Sequence, residues 1–108
     1  MIEINIEVPE NANTDIVVDS VERVCLQHQV NCTLKGTLAS YPGSTHWHFK
    51  AGKQKGTLEI TWWENKNRLW FKVADGRTSK WIEESLPKIK EEIEKLLRSH
   101  HFGMRTGT

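Results

Sequence analysis

The chain has 108 residues, 37% apolar and 27% charged, with a net charge of +1. That is the composition of one soluble globular domain with a modest core, far from the heavily basic balance of a dedicated DNA-binding domain. No apolar run approaches the roughly 20 residues of a membrane span. The acidic, alternating start "MIEINIEVPE" is unlike a signal peptide, so a cytoplasmic protein without membrane contact is expected.

In chain order, Ile2, Ile4, Ile6 and Val8 alternate with polar residues, the period of a strand with one buried face. "PENANT" breaks it and offers Asn13 and Thr14 as helix caps. From Asp15 to about Gln29 the apolar positions Val17, Val21, Val24 and Cys25 have helical spacing. Cys25 and Cys32 show no zinc-site or redox-motif spacing and are read as two small, partly buried hydrophobes. His28 at the helix end is expected to act as a cation near the last carbonyls.

"CTLKGTLAS" reads as a strand with Leu34 and Leu38 inward, and "YPGS" as a type II turn with Gly43 at the positive φ. "THWHFK", "TLEITWW" and "RLWFKV" are the next three strands, joined by the basic loop "AGKQKG" and the turn "ENKN". Pairing Tyr41 with Ser44 puts Leu38 opposite Trp47 and Gly36 opposite Phe49. Pairing Trp63 with Arg68 puts Trp62 opposite Leu69 and Ile60 opposite Phe71. Trp47 and Trp62 are expected in the core. A last helix begins near Ser79, with Ile82, Leu86, Ile89, Ile93, Leu96 and Leu97 as its apolar stripe and Glu84–Lys88, Glu91–Lys95 and Glu94–Arg98 as i,i+4 pairs. Pro87 either kinks it or marks a later start.

The order β-α-β-β-β-β-α predicts an α+β fold: a two-layer α/β sandwich with a mainly antiparallel sheet and both helices on one face. Residues 1–98 are expected to form this single domain and 99–108 a flexible tail. The place of the first strand in the sheet is not readable from the sequence.

The other sheet face is then uncovered. It is expected to carry His46, His48, Lys50, Glu59, Thr61, Trp63, Arg68, Trp70 and Lys72, with His46, Thr61 and Trp70 in one cross-strand row and Thr37, His48, Glu59 and Lys72 in the next. Residues 1–31 hold six acids and one arginine, whereas residues 45–80 hold six lysines and two arginines against three acids, so the open face and its loops lie in the basic part. Two outward tryptophans among cations would form an exposed apolar patch of the kind that marks interaction sites.

The function read from this face is a non-enzymatic binding or protein-interaction module. Its ligand-binding residues are His46, His48, Lys50, Trp63, Arg68, Trp70 and Lys72, and its partner is a protein or a second copy of the chain. Single-stranded nucleic acid, stacking on Trp63 and Trp70, is one alternative. A metal site built from His46, His48 and Glu59 is another, weaker one. No cofactor and no catalytic residue is assigned: Ser44 near His46 belongs to the turn, and no acid orients the pair. The glycines are scattered across turns and form no phosphate-cradling loop.

Overall fold

The computed structural model describes residues 1–106, with side chains through residue 100. Its elements are β1 (Ile2–Ile6), α1 (Thr14–Gln27), β2 (Asn31–Gly36), β3 (Thr45–Lys50), β4 (Leu58–Trp63), β5 (Arg68–Val73) and α2 (Lys80–Thr106). The strands form one antiparallel sheet in the order β1-β5-β4-β3-β2, giving the expected α+β fold. β1 pairs with β5, at the edge opposite β2, so α1 carries the chain across the sheet. Among the described residues no helix is long and apolar enough to cross a membrane.

The three inner strands keep the anticipated register. Trp47 lies opposite Ile60, Ile60 opposite Phe71, and Trp62 opposite Leu69, while β1 adds Ile4 opposite Phe71 and Ile6 opposite Leu69. Those side chains form one core with Val17, Val21, Val24 and Cys25 of α1 and Ile82, Ile89, Ile93 and Leu97 of α2. Both helices therefore cover the same face. Burying a large apolar side chain is worth about 1.5–3 kcal/mol, so this face dominates stability. The two buried indoles need partners for their N–H groups, and α1 supplies them. Trp47 Nε1 donates to Glu22 Oε2 at 2.9 Å and Trp62 Nε1 to Thr14 Oγ1 at 3.1 Å.

α1 begins as expected: the Asn13 side chain accepts the Ile16 amide at 3.1 Å. It ends in a Schellman arrangement, with Gln29 N–H bonded to Leu26 O, Val30 N–H to Cys25 O, and Gln29 at φ 60°. His28 reaches further than anticipated and pairs with Glu92 of α2. α2 starts after Ser79, whose carbonyl accepts from Ile82 and Glu83. Pro87 lies inside the helix and does not start it. Pro87 and Glu83 are both exposed, so water can solvate the carbonyl that lacks its donor. The anticipated ion pairs on α2 are replaced by Lys90–Glu94 at 2.9 Å, because Glu94 turns toward the sheet and accepts the Glu7 amide at 2.8 Å. The helix passes the expected end at Arg98 and continues to Thr106, and the rest of the anticipated tail, residues 107–108, lies outside the described residues.

The main departure is β2. Cys32 lies opposite Phe49 but Leu34 opposite His48, so Thr33 is an extra residue, a β-bulge. One inserted residue reverses the parity of everything after it. Leu34, expected inward, is therefore 47% exposed on the open face, and because residues 37–44 form a longer connection than the two-residue turn anticipated, Gly36 faces His46 rather than Phe49. Cys32, expected partly buried, is exposed. Lys35 turns to the helix side, opposite Trp47, and its Nζ lies 2.6 Å from Glu22 Oε2. Leu38 and the anticipated Thr37 platform position fall in the loop before β3, outside any strand.

Glu22 thus serves two donors. Burial alone would raise its pKa, but the hydrogen bonds from Lys35 and Trp47 outweigh burial and hold it below its ordinary value. A depressed carboxylate stabilises the fold above its unfolded pKa, about 4.3, and that contribution fades as pH falls through the folded value. Glu22→Ala is expected to lower stability by about 1 kcal/mol at neutral pH, since it strands the Trp47 N–H, and to flatten the acid limb of a denaturation profile. A separate check uses the thiols. Burial pushes Cys25 up to about 12, with Cys32 and Glu22 adding to the effect. A maleimide at neutral pH is expected to modify only Cys32 in the folded chain, and Cys25 only after denaturant is added.

Candidate metal centre

β3, β4 and β5 place their alternate residues on the face away from the helices. His46 lies opposite Thr61 and Thr61 opposite Trp70; His48 lies opposite Glu59 and Glu59 opposite Lys72. β1 extends the rows with Asn5 and Glu3. All seven expected ligand-binding residues therefore occur on the inner strands, but they do not act as one platform.

The aromatic part is covered. The Tyr41–Ser44 turn forms with Gly43 at φ 80° and folds over the face. The Tyr41 ring packs edge-on against Trp63 at 5.0 Å and Trp70 at 5.1 Å between centroids. Trp63 Nε1 donates to the Pro42 carbonyl at 3.0 Å. The Arg68 guanidinium lies 4.2 Å from the Trp70 ring centre and is held by Glu3 at 3.0 Å and Asn5 at 3.2 Å. Trp70 is 3% exposed, so the expected open tryptophan patch is not there. The apolar ring faces found cover within the chain, which sequence parity alone does not reveal. Ser44 is buried, and its hydroxyl accepts the Leu38 amide at 3.2 Å, the turn role expected of it.

The neighbouring part brings three metal-ligating side chains together. His46 Nε2 and His48 Nε2 are 3.1 Å apart, and Glu59 Oε1 lies 3.4 Å from the first and 3.6 Å from the second. Among the described residues this is the one group of three or more His, Cys, Asp or Glu residues whose ligand atoms converge in this way. The two contacts to Glu59 are long for hydrogen bonds. They suit the edges of a coordination polyhedron: bonds of about 2.0–2.1 Å in tetrahedral geometry put ligand atoms about 3.3 Å apart.

Two further features suit a cation. His46 Nδ1 contacts Thr61 Oγ1 at 2.8 Å, which orients the ring and leaves Nε2 toward Glu59. Burial, together with His48 and Lys72, outweighs the attraction of Glu59 and holds the His46 pKa below its ordinary value, so the imidazole is neutral with a free lone pair at pH 7. His46 is 5% exposed while His48 and Glu59 are partly open, so the cluster is anchored on one side and accessible on the other. The sequence carried this signal as His-x-His plus an acid opposite it on the adjacent strand.

The cations divide between the two parts. Arg68 is engaged by β1, and Lys72 stands between Glu3 and Glu59. Lys50 instead lines a concavity of about 500 Å³ next to His48, with Lys55 of the basic loop after β3 and with Arg77, which the sequence reading did not join to β3. No protein-family model, curated protein or solved structure matches this chain.

Tyr41→Ala is expected to increase acrylamide quenching of tryptophan fluorescence and to lower stability by roughly 1 kcal/mol, the value of the lost aromatic pairs. Unchanged quenching would contradict the covering role of Tyr41.

Proposed function

We propose that this protein is a non-enzymatic binding module whose sheet face holds a divalent transition-metal ion, zinc being the best fit, through His46 Nε2, His48 Nε2 and Glu59. The observation that carries this reading is the mutual spacing of 3.1, 3.4 and 3.6 Å among the three ligand atoms. Two imidazoles and a carboxylate are a borderline donor set that favours zinc and its neighbours over calcium or magnesium, which prefer oxygen. Three protein ligands leave one coordination position for an exogenous group, whereas a purely structural zinc usually has four.

The other readings have less support. Nucleic-acid stacking needs open ring faces, and Tyr41 already packs on both Trp63 and Trp70. A protein partner or second copy pairing along β2 is favoured by that strand's exposed edge and by Leu34. The bulge at Thr33 is a feature that discourages edge-to-edge pairing.

Titration of chelator-treated protein with zinc is expected to saturate at about one ion per chain and to raise the melting temperature. His48→Ala and Glu59→Gln should abolish the shift. Thr61→Val, which removes only the group that orients His46, should weaken zinc by about 10–100-fold. Absence of saturable binding, or binding that survives loss of both His48 and Glu59, would refute the proposal.

A further inference from the structure

A second site lies beside the cluster. The concavity of about 500 Å³ is walled by Thr33, His48 and Lys50 on one side and by Lys55, Thr57 and Arg77 on the other. No carboxylate lines it. Among the described residues, none of Lys50, Lys55 and Arg77 forms an ion pair, unlike Lys35, Arg68 and Lys90. Three permanent cations and two hydroxyls around one hollow leave a local positive charge without a counter-charge in the chain.

The walls are built rather than incidental. The loop after β3 is fastened to the start of α2 by Thr57 N–H to Arg77 O at 2.9 Å and Trp81 Nε1 to Lys55 O at 2.8 Å. Gly56 sits between them at φ 100°, where an added Cβ would come within 2.7 Å of Ser79 Cβ and 2.9 Å of Arg77 O. Both fastening bonds to Lys55 and Arg77 use main-chain carbonyls, so their backbones are held in place while their side chains stay exposed. Gly56 and Gly76, far apart in sequence and at positive φ, both border the hollow.

We infer that this concavity binds a phosphate monoester dianion, held by Lys50, Lys55 and Arg77 with the Thr57 hydroxyl as a further donor, while the Thr33 hydroxyl donates to the His48 carbonyl at 3.3 Å and shapes the wall. Two negative charges and several acceptor oxygens match this set better than a single carboxylate does. The hollow is a compact one, not a track of cations along a strand, so it suits one phosphoryl group rather than a polymer backbone. The site stands on its own residues. His48 belongs both to the hollow and to the cluster, so the metal reading adds only a coupling: a cation on His48 would strengthen anion binding.

The test uses the full chain, chelator-treated, and phenyl phosphate as probe, followed by amide chemical-shift changes at low salt. One saturable site is expected, with shifts centred on Thr33, Lys50, Gly56, Thr57 and Arg77. Lys55→Ala and Arg77→Ala should each weaken it at least fivefold and the double variant abolish it, with unchanged melting temperature. Because the protein is chelator-treated, saturation by phenyl phosphate in a sample that shows no zinc-induced melting shift would uphold this inference while the metal reading fails, so the two failures are distinguishable. Lack of saturation, or undiminished binding by the double variant, would overturn the inference. So would tighter binding to an oligothymidylate or to anionic phospholipid vesicles than to the monoester.

Discussion

The structure depends on the period-two alternation of three strands held in one register. Trp47 and Trp62 are fully buried beneath α1, each tied to it by an indole hydrogen bond. Shifting β3 or β4 by one residue would expose the indole and bury an imidazole or threonine in its place. The tryptophans therefore also set the orientation of the open face. His46 and His48 flank Trp47 and must look the other way, and Glu59 and Thr61, either side of Ile60, must meet them. The cluster is a by-product of core packing as much as of its own chemistry.

What lies on that face is then divided by its surroundings. The loop before β3 brings Tyr41 over the tryptophans, and β1 brings Glu3 and Asn5 to Arg68. These contacts satisfy the aromatic half internally. The half near Lys50 receives no such cover, because the loop after β3 adds cations instead of a lid. One sheet face thus carries a sealed aromatic region, a histidine–carboxylate cluster and a cationic hollow in succession.

The electrostatics follow the same geometry. Across one row the order is His48, Glu59, Lys72 and Glu3, so each charged residue faces an opposite or neutral neighbour. Lys72 adds to the burial that holds the His46 pKa below its ordinary value. A neutral imidazole at His46 is the form that offers its lone pair to a divalent cation.

The inner strands, both helices, the Asn13 cap and the Tyr41–Ser44 turn were legible in the sequence, since each rests on local rules: alternation, helical spacing, a capping side chain and the φ of Gly43. The His46–Thr61–Trp70 and His48–Glu59–Lys72 rows followed from the ENKN turn and parity, with the β3–β4 register across the AGKQKG loop open to a slip of two until the sheet fixed it. The place of β1 beside β5, the parity of Leu34 and Lys35, the cover over Trp70 and the meeting of Lys50 and Lys55 with Arg77 did not. An edge strand can accept a bulge at small cost because it is paired on one side only, and nothing local announces it. Which loop covers which face, and which distant cations share a hollow, depends on contacts between segments far apart in the chain, and only the assembled sheet decides them.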